Sequence, residues 1–151
     1  MFRRLALIIF SVALAGASNA FAADEINKTL IGDIAVDGYD STAYFQKSKP
    51  SEGDGDYSLD YKGATWRFAD AISRDLFAAN PDSYAPQYGG YCSNQMSLGN
   101  ISDIDPHVWL IFDGKLYLFG HDVGRQRWQQ TGIAERIKDA DTNWQTYLAK
   151  K

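Results

Sequence analysis

The sequence contains little of what stabilises small exported proteins or builds common active sites. It has one cysteine, Cys92, and so no possible intramolecular disulfide. Histidine is confined to His107 and His121, and methionine beyond the initiator to Met96. Bases are outnumbered, 15 Lys and Arg against 19 Asp and Glu for a net charge of −4, which argues against a nucleic-acid or anionic-membrane partner. There is no phosphate-binding loop, no Gly-x-Ser-x-Gly elbow and no His-Glu-x-x-His pair. The one long apolar run, from about Leu5 to Ala15, is shorter than the roughly 20 residues needed to cross a bilayer. There is no low-complexity tract and no repeat beyond two hairpins.

That run belongs to the opening "MFRRLALIIFSVALAGASNAFAADE", which has the three parts of a secretory signal: Arg3 and Arg4, the apolar stretch, and Ala20-Phe21-Ala22 as a cleavage site. The expectation is a signal peptide over residues 1–22, a mature chain starting at Ala23, a periplasmic or secreted location, and no stable membrane insertion after cleavage. A retained N-terminal anchor is the alternative. Cleavage would remove two arginines and no acid, taking the net charge to −6. The remaining chain of about 130 residues fits one domain with its own core. It divides into a partly exposed lead-in over 23–36 and a domain over 37–149.

What the sequence does have is aromatic residues: four Trp, nine Tyr and eight Phe. Several fall into hairpin patterns. In "YSLDYKGATWRF", a Lys62-Gly63 turn sets Tyr61 opposite Ala64, Leu59 opposite Trp66 and Tyr57 opposite Phe68, on one apolar face. In "VWLIFDGKLYLF", the stronger Asp113-Gly114 turn puts Trp109, Ile111, Leu116 and Leu118 on one face and Leu110, Phe112 and Tyr117 on the other. Both faces of the second ribbon are apolar, so it should be the more deeply buried. Asp40 is a candidate N-cap for a brief helical turn over 43–45. "ADAISRDLFAANP" reads as a helix presenting Ile72, Leu76 and Ala79 on one face with Phe77 beside them, closed by Asn80-Pro81. Asp122 is a candidate N-cap for a helix broken by Gly132, and Ile133, Ile137, Trp144 and Leu148 mark one or two closing helical segments. The fold class expected is α+β: a small single domain of two antiparallel β-hairpins packed with short α-helices.

The stretch "YKGATWRFADAISRDLFAANPDSY", Tyr61 to Tyr84, resembles the YHS domain. Tyr61, Gly63, Trp66, Phe68, Phe77, Asn80, Pro81 and Tyr84 fall at that family's spacing, and "GYDSTAYF", "YAPQYGGYC" and "DGKLYL" are similar to its exported single-domain members. The resemblance implies an exported YHS-domain-containing protein. Better-known YHS domains are thought to hold heavy metals through two cysteines, and those positions are Ala69 and Ser73 in this chain. The resemblance therefore supports a fold while removing the ligands that usually accompany it.

A thiolate, a thioether and imidazoles are the donors soft transition metals such as copper prefer, and Cys92, Met96, His107 and His121 supply all three. The expected function is non-catalytic binding, with copper or another transition metal held by Cys92, Met96 and a histidine. The competing reading makes Cys92 a buried small hydrophobe, a frequent fate of free cysteine, in a module that binds a small molecule or a protein. In that reading Tyr84, Tyr88 and Tyr91 line the site, because Tyr, Pro and Gly mix in "YAPQYGGY" without a strand or helix period. A cysteine nucleophile assisted by His107 or His121, with Asp105 or Asp122, is a third reading that no local motif supports.

Overall fold

The structure, a computed structural model, describes residues 24–150. The expected signal peptide over 1–22 lies outside the described residues. Strands β1 (Asp54–Tyr61) and β2 (Ala64–Phe68) form one antiparallel pair, and β3 (Asp105–Phe112) and β4 (Lys115–Phe119) form another. Around them lie α1 (Ala43–Gln46), α2 (Ala71–Ala79), α3 (Pro81–Tyr84), α4 (Ser93–Ser97), α5 (Asp122–Thr131) and α6 (Ile133–Leu148). This is the expected small α+β domain. Among the described residues, no helix is long and apolar enough to cross a membrane.

The hairpins turn where their sequences dictate. Lys62 and Gly63 have φ of 50° and 73°, and Asp113 and Gly114 have 50° and 70°, the double left-handed geometry whose twist matches paired strands. Tyr61 faces Ala64 and Leu59 faces Trp66 as expected, but Tyr57 does not face Phe68. An irregularity between Asp54 and Ser58 shifts the register, and Phe68 pairs with Asp54 instead. In the second pair Trp109 faces Leu118, Leu110 faces Tyr117 and Ile111 faces Leu116. Its inner strand β4 is buried from Leu116 to Phe119, whereas Val108 to Ile111 on β3 are only half-buried.

Helix α2 starts on Asp70, whose side chain accepts from the Ser73 N–H at 2.8 Å. Its buried face differs from the expected one. Phe77 is fully buried against Trp66 and Phe68, while Ile72 is 80% exposed and Ala79 is exposed. Asp122 is the first residue of α5 and not its cap: extended His121 occupies the cap position, and Asp122 pairs with Arg125 one turn on. Gly132, at φ 98°, separates α5 from a single closing helix.

Asp40 is more than a cap. Fully buried, its Oδ1 accepts from both the N–H and the hydroxyl of Thr42, at 2.9 and 2.7 Å, and its Oδ2 from the Ala69 N–H at 3.0 Å. A carboxylate taking three hydrogen bonds is satisfied without a counter-cation, and this one ties the start of α1 to the end of β2. The lead-in also joins the core. Ile26, Ala35 and Val36 are buried, and Ala35 N–H donates to Thr65 O while Thr65 N–H donates to Asp33 O. At its tip the apolar Leu30 and Ile31 stand fully in solvent.

Candidate functional site

Cys92 closes the bend made by Gly89 and Gly90, whose φ values of 61° and 83° suit glycine. It sits just before α4, accepting the Met96 N–H on its carbonyl and donating its own N–H to Ser102 O. Its side chain is 4% exposed, and the sulfur accepts the Gly120 N–H at 3.3 Å. Gly120 directly follows β4. A Cβ there would lie 2.9 Å from Asp103 O, so only glycine lets the strand end run this close to the Asp103 backbone; its 3.9 Å from the Cys92 sulfur would be an ordinary contact.

Beside that contact lies a cavity of about 260 Å³ walled by Cys92, Asn94, Gly120, His121 and Arg127 among others. Among the described residues, no carboxylate lines it. The His121 ring and the Arg127 side chain, both exposed, make no hydrogen bond or ion pair with any described residue. Asn94 is 5% exposed with its Oδ1 unpartnered, and it is packed against Gly124, where a Cβ would come within 3.1 Å of it.

The four soft donors do not converge. Cys92 and His121 share this cavity. Met96, 1% exposed, instead lines a separate cavity of about 310 Å³ with Ile101, Asn143 and Tyr147. Cys92 stands outside the helix that carries Met96, so the i, i+4 spacing does not place their side chains together. His107, exposed on β3, engages Tyr39, with Nε2 3.1 Å from the hydroxyl and the rings edge to face. Among the described residues, no group of three or more His, Cys, Asp or Glu is placed to hold a metal ion.

The three tyrosines also divide. Tyr84 packs edge-on against Phe45. Tyr91 is buried against Trp144 and Tyr147 and donates its hydroxyl to Asp24 O at 3.3 Å; burial pushes its pKa up. Tyr88 lines a cavity of about 340 Å³ shared with Tyr61, Lys62, Asp82, Lys115 and Trp144. Its φ of 56° is a left-handed conformation that a bulky residue adopts only when its surroundings impose it. The restraints are visible: its hydroxyl donates to Asp141 Oδ1 at 2.9 Å, and the next carbonyl, of Gly89, accepts the Asn27 N–H at 2.8 Å. Burial, then the nearby Asp141 carboxylate, drives the Tyr88 pKa far up.

Fold and cavities together define a small α+β domain with one cavity built around a thiol and an imidazole and another around aromatic rings. No family model, curated protein or solved structure matches this chain. Sequence reasoning missed Gly120, Asn94 and Arg127 at the first cavity. The only trace of them in the sequence is a glycine directly after the apolar end of a strand, in "YLFGHD".

Proposed function

We propose that this chain is an exported, YHS-like binding protein without catalytic chemistry, whose Cys92 cavity takes a single soft monovalent ion, Cu(I), between Cys92 Sγ and a ring nitrogen of His121. The observation that carries the reading is that the one sulfur able to ionise and one of the two imidazoles line the same cavity. Charge supports the monovalent ion. A thiolate, Cu(I) and a neutral imidazole sum to zero, whereas a divalent ion would leave a net positive charge beside Arg127 with no carboxylate in the wall to offset it. The Gly120 N–H already directed at the sulfur fixes where the sulfur sits in the cavity wall. The positions that hold metal in better-known YHS domains carry Ala69 and Ser73, which offer no thiolate. Met96 and His107 take no part in this site.

Competition of the purified chain against a chromogenic Cu(I) chelator tests the reading. One equivalent of Cu(I) should bind, Cys92→Ser should abolish binding, His121→Ala should weaken it at least about tenfold, and His107→Ala should leave it unchanged. Unaltered stoichiometry in Cys92→Ser refutes the metal reading. It would favour instead a structural thiol, held by the Gly120 hydrogen bond in a module that binds something other than a metal.

A further inference from the structure

The cavity around Tyr88 is independent of the thiol and carries its own chemistry. The turn ends of both hairpins reach it, Tyr61 and Lys62 from the first and Lys115 from the second, and Trp144 of α6 lines it too. Its volume, about 340 Å³, is within the range of small-molecule sites. Its wall includes three aromatic rings, those of Tyr61, Tyr88 and Trp144. The strained backbone of Tyr88 lies in the wall itself, and strain of this kind concentrates where a ligand is clamped.

Four charged residues line the cavity, and their pairing is uneven. Lys62 and Glu25 neutralise each other across 2.8 Å. Lys115, exposed, makes no ion pair or hydrogen bond with any described residue. Asp82, also exposed, forms no ion pair among the described residues: it accepts the Tyr61 hydroxyl at 3.0 Å and lies near enough to Lys62 to act on its charge. The cavity thus offers one cation and one anion that form no ion pair among the described residues, and aromatic surface.

We propose that this cavity binds an aromatic zwitterion of the amino-acid type, with its ring among Tyr61, Tyr88 and Trp144, its carboxylate toward Lys115 and its ammonium toward Asp82. The proposal does not depend on metal binding at Cys92, and its test contains no metal.

Ligand-observed NMR titration of the purified chain with three probes decides it: L-phenylalanine, phenylacetate with only the acid, and phenethylamine with only the amine. Phenylalanine should bind about fivefold more tightly than either half-charged probe, the upper end of what one exposed ion pair contributes. Lys115→Ala should lower phenylalanine affinity to that of phenethylamine and leave phenethylamine unchanged; Asp82→Asn should do the converse with phenylacetate. Both residues are exposed and make no contact that the core needs, so these variants keep the fold. Absence of saturable binding up to about 10 mM, equal affinity for the three probes, or affinities unmoved by both substitutions would each overturn the proposal.

Discussion

Raising the pH should unfold this protein abruptly near pH 11, because its core holds neutral phenols that water would ionise. Tyr44, Tyr88, Tyr91 and Tyr117 are all buried, from 0% to 8% exposed. Burial, helped in each case by neighbouring carboxylates or hydroxyls, pushes all four pKa values up, that of Tyr117 to about 12 and the others further. In the unfolded chain each titrates near 10. A raised native pKa means that the fold retains a proton the unfolded chain has lost, so the contribution is fully present below about pH 10 and is lost as pH climbs towards the native value. One unit above the unfolded pKa, each group has withdrawn about 1.4 kcal/mol, and the four together about 5 to 6 kcal/mol. That is comparable with the whole stability of a typical domain, about 5–15 kcal/mol. Far-ultraviolet circular dichroism and tyrosinate absorbance, followed together through the alkaline range, should show a late tyrosinate step coincident with loss of structure. Tyr117→Phe should remove about 1.4 kcal/mol of the stability lost between pH 8 and 11. That variant is clean because the Tyr117 hydroxyl makes no hydrogen bond with any described residue. Retention of native structure to about pH 12, with all nine tyrosines ionising near pH 10, would refute the reasoning.

Two substitutions test the framework that shapes the cavities. Gly89→Ala would place a Cβ 1.8 Å from the Glu25 carbonyl oxygen at a φ of 61°, so the lead-in must move and break its bond to Gly89 O; urea unfolding should register a loss of about 3 kcal/mol or more. Asp40→Ala strips partners from the N–H groups of Thr42 and Ala69 and should lose about 3 kcal/mol by the same assay. Asp40→Asn should recover only part of that, because a carboxamide has one accepting oxygen where the carboxylate uses two.

The hairpins could be read because Lys62-Gly63 and Asp113-Gly114 fix both turn geometry and register for the residues nearest them. Legibility failed with distance from the turn. Gly53 runs so close to β2 that a Cβ would lie 2.5 Å from the Arg67 carbonyl carbon, and the irregular pairing beyond Ser58 displaces Tyr57 from its expected partner. On α2, periodicity placed several candidates on one face, and packing rather than hydropathy chose among them: Phe77 fills the space against Trp66, and Ile72 is left in water. The thiol cavity was half legible. Residue chemistry singled out Cys92 and His121, but their meeting depends on β4 delivering Gly120 to the sulfur, a long-range contact with no local pattern. Met96 was selected as a thioether donor, and burial in a separate cavity keeps it from the thiol. The aromatic cavity showed itself through Tyr88 alone, since Lys115, Asp82 and Trp144 come from elements far apart in the chain.

Asp24 bears on how this fold is reached in time. Its carbonyl oxygen accepts the hydroxyl of Tyr91 at 3.3 Å and that of Tyr147 at 3.0 Å, the second contact bridging a sequence separation of 123. During synthesis residues 24–26 are made long before Tyr147, which becomes available only once α6 is made. Closing a loop of that length carries an entropic cost, and until it closes Tyr91 lacks the Trp144 and Tyr147 rings that pack against it. The clasp at Asp24 is therefore a completion signal: a chain interrupted before α6 lacks the rings that cover Tyr91 and presents aromatic surface of the kind that chaperones and proteases engage.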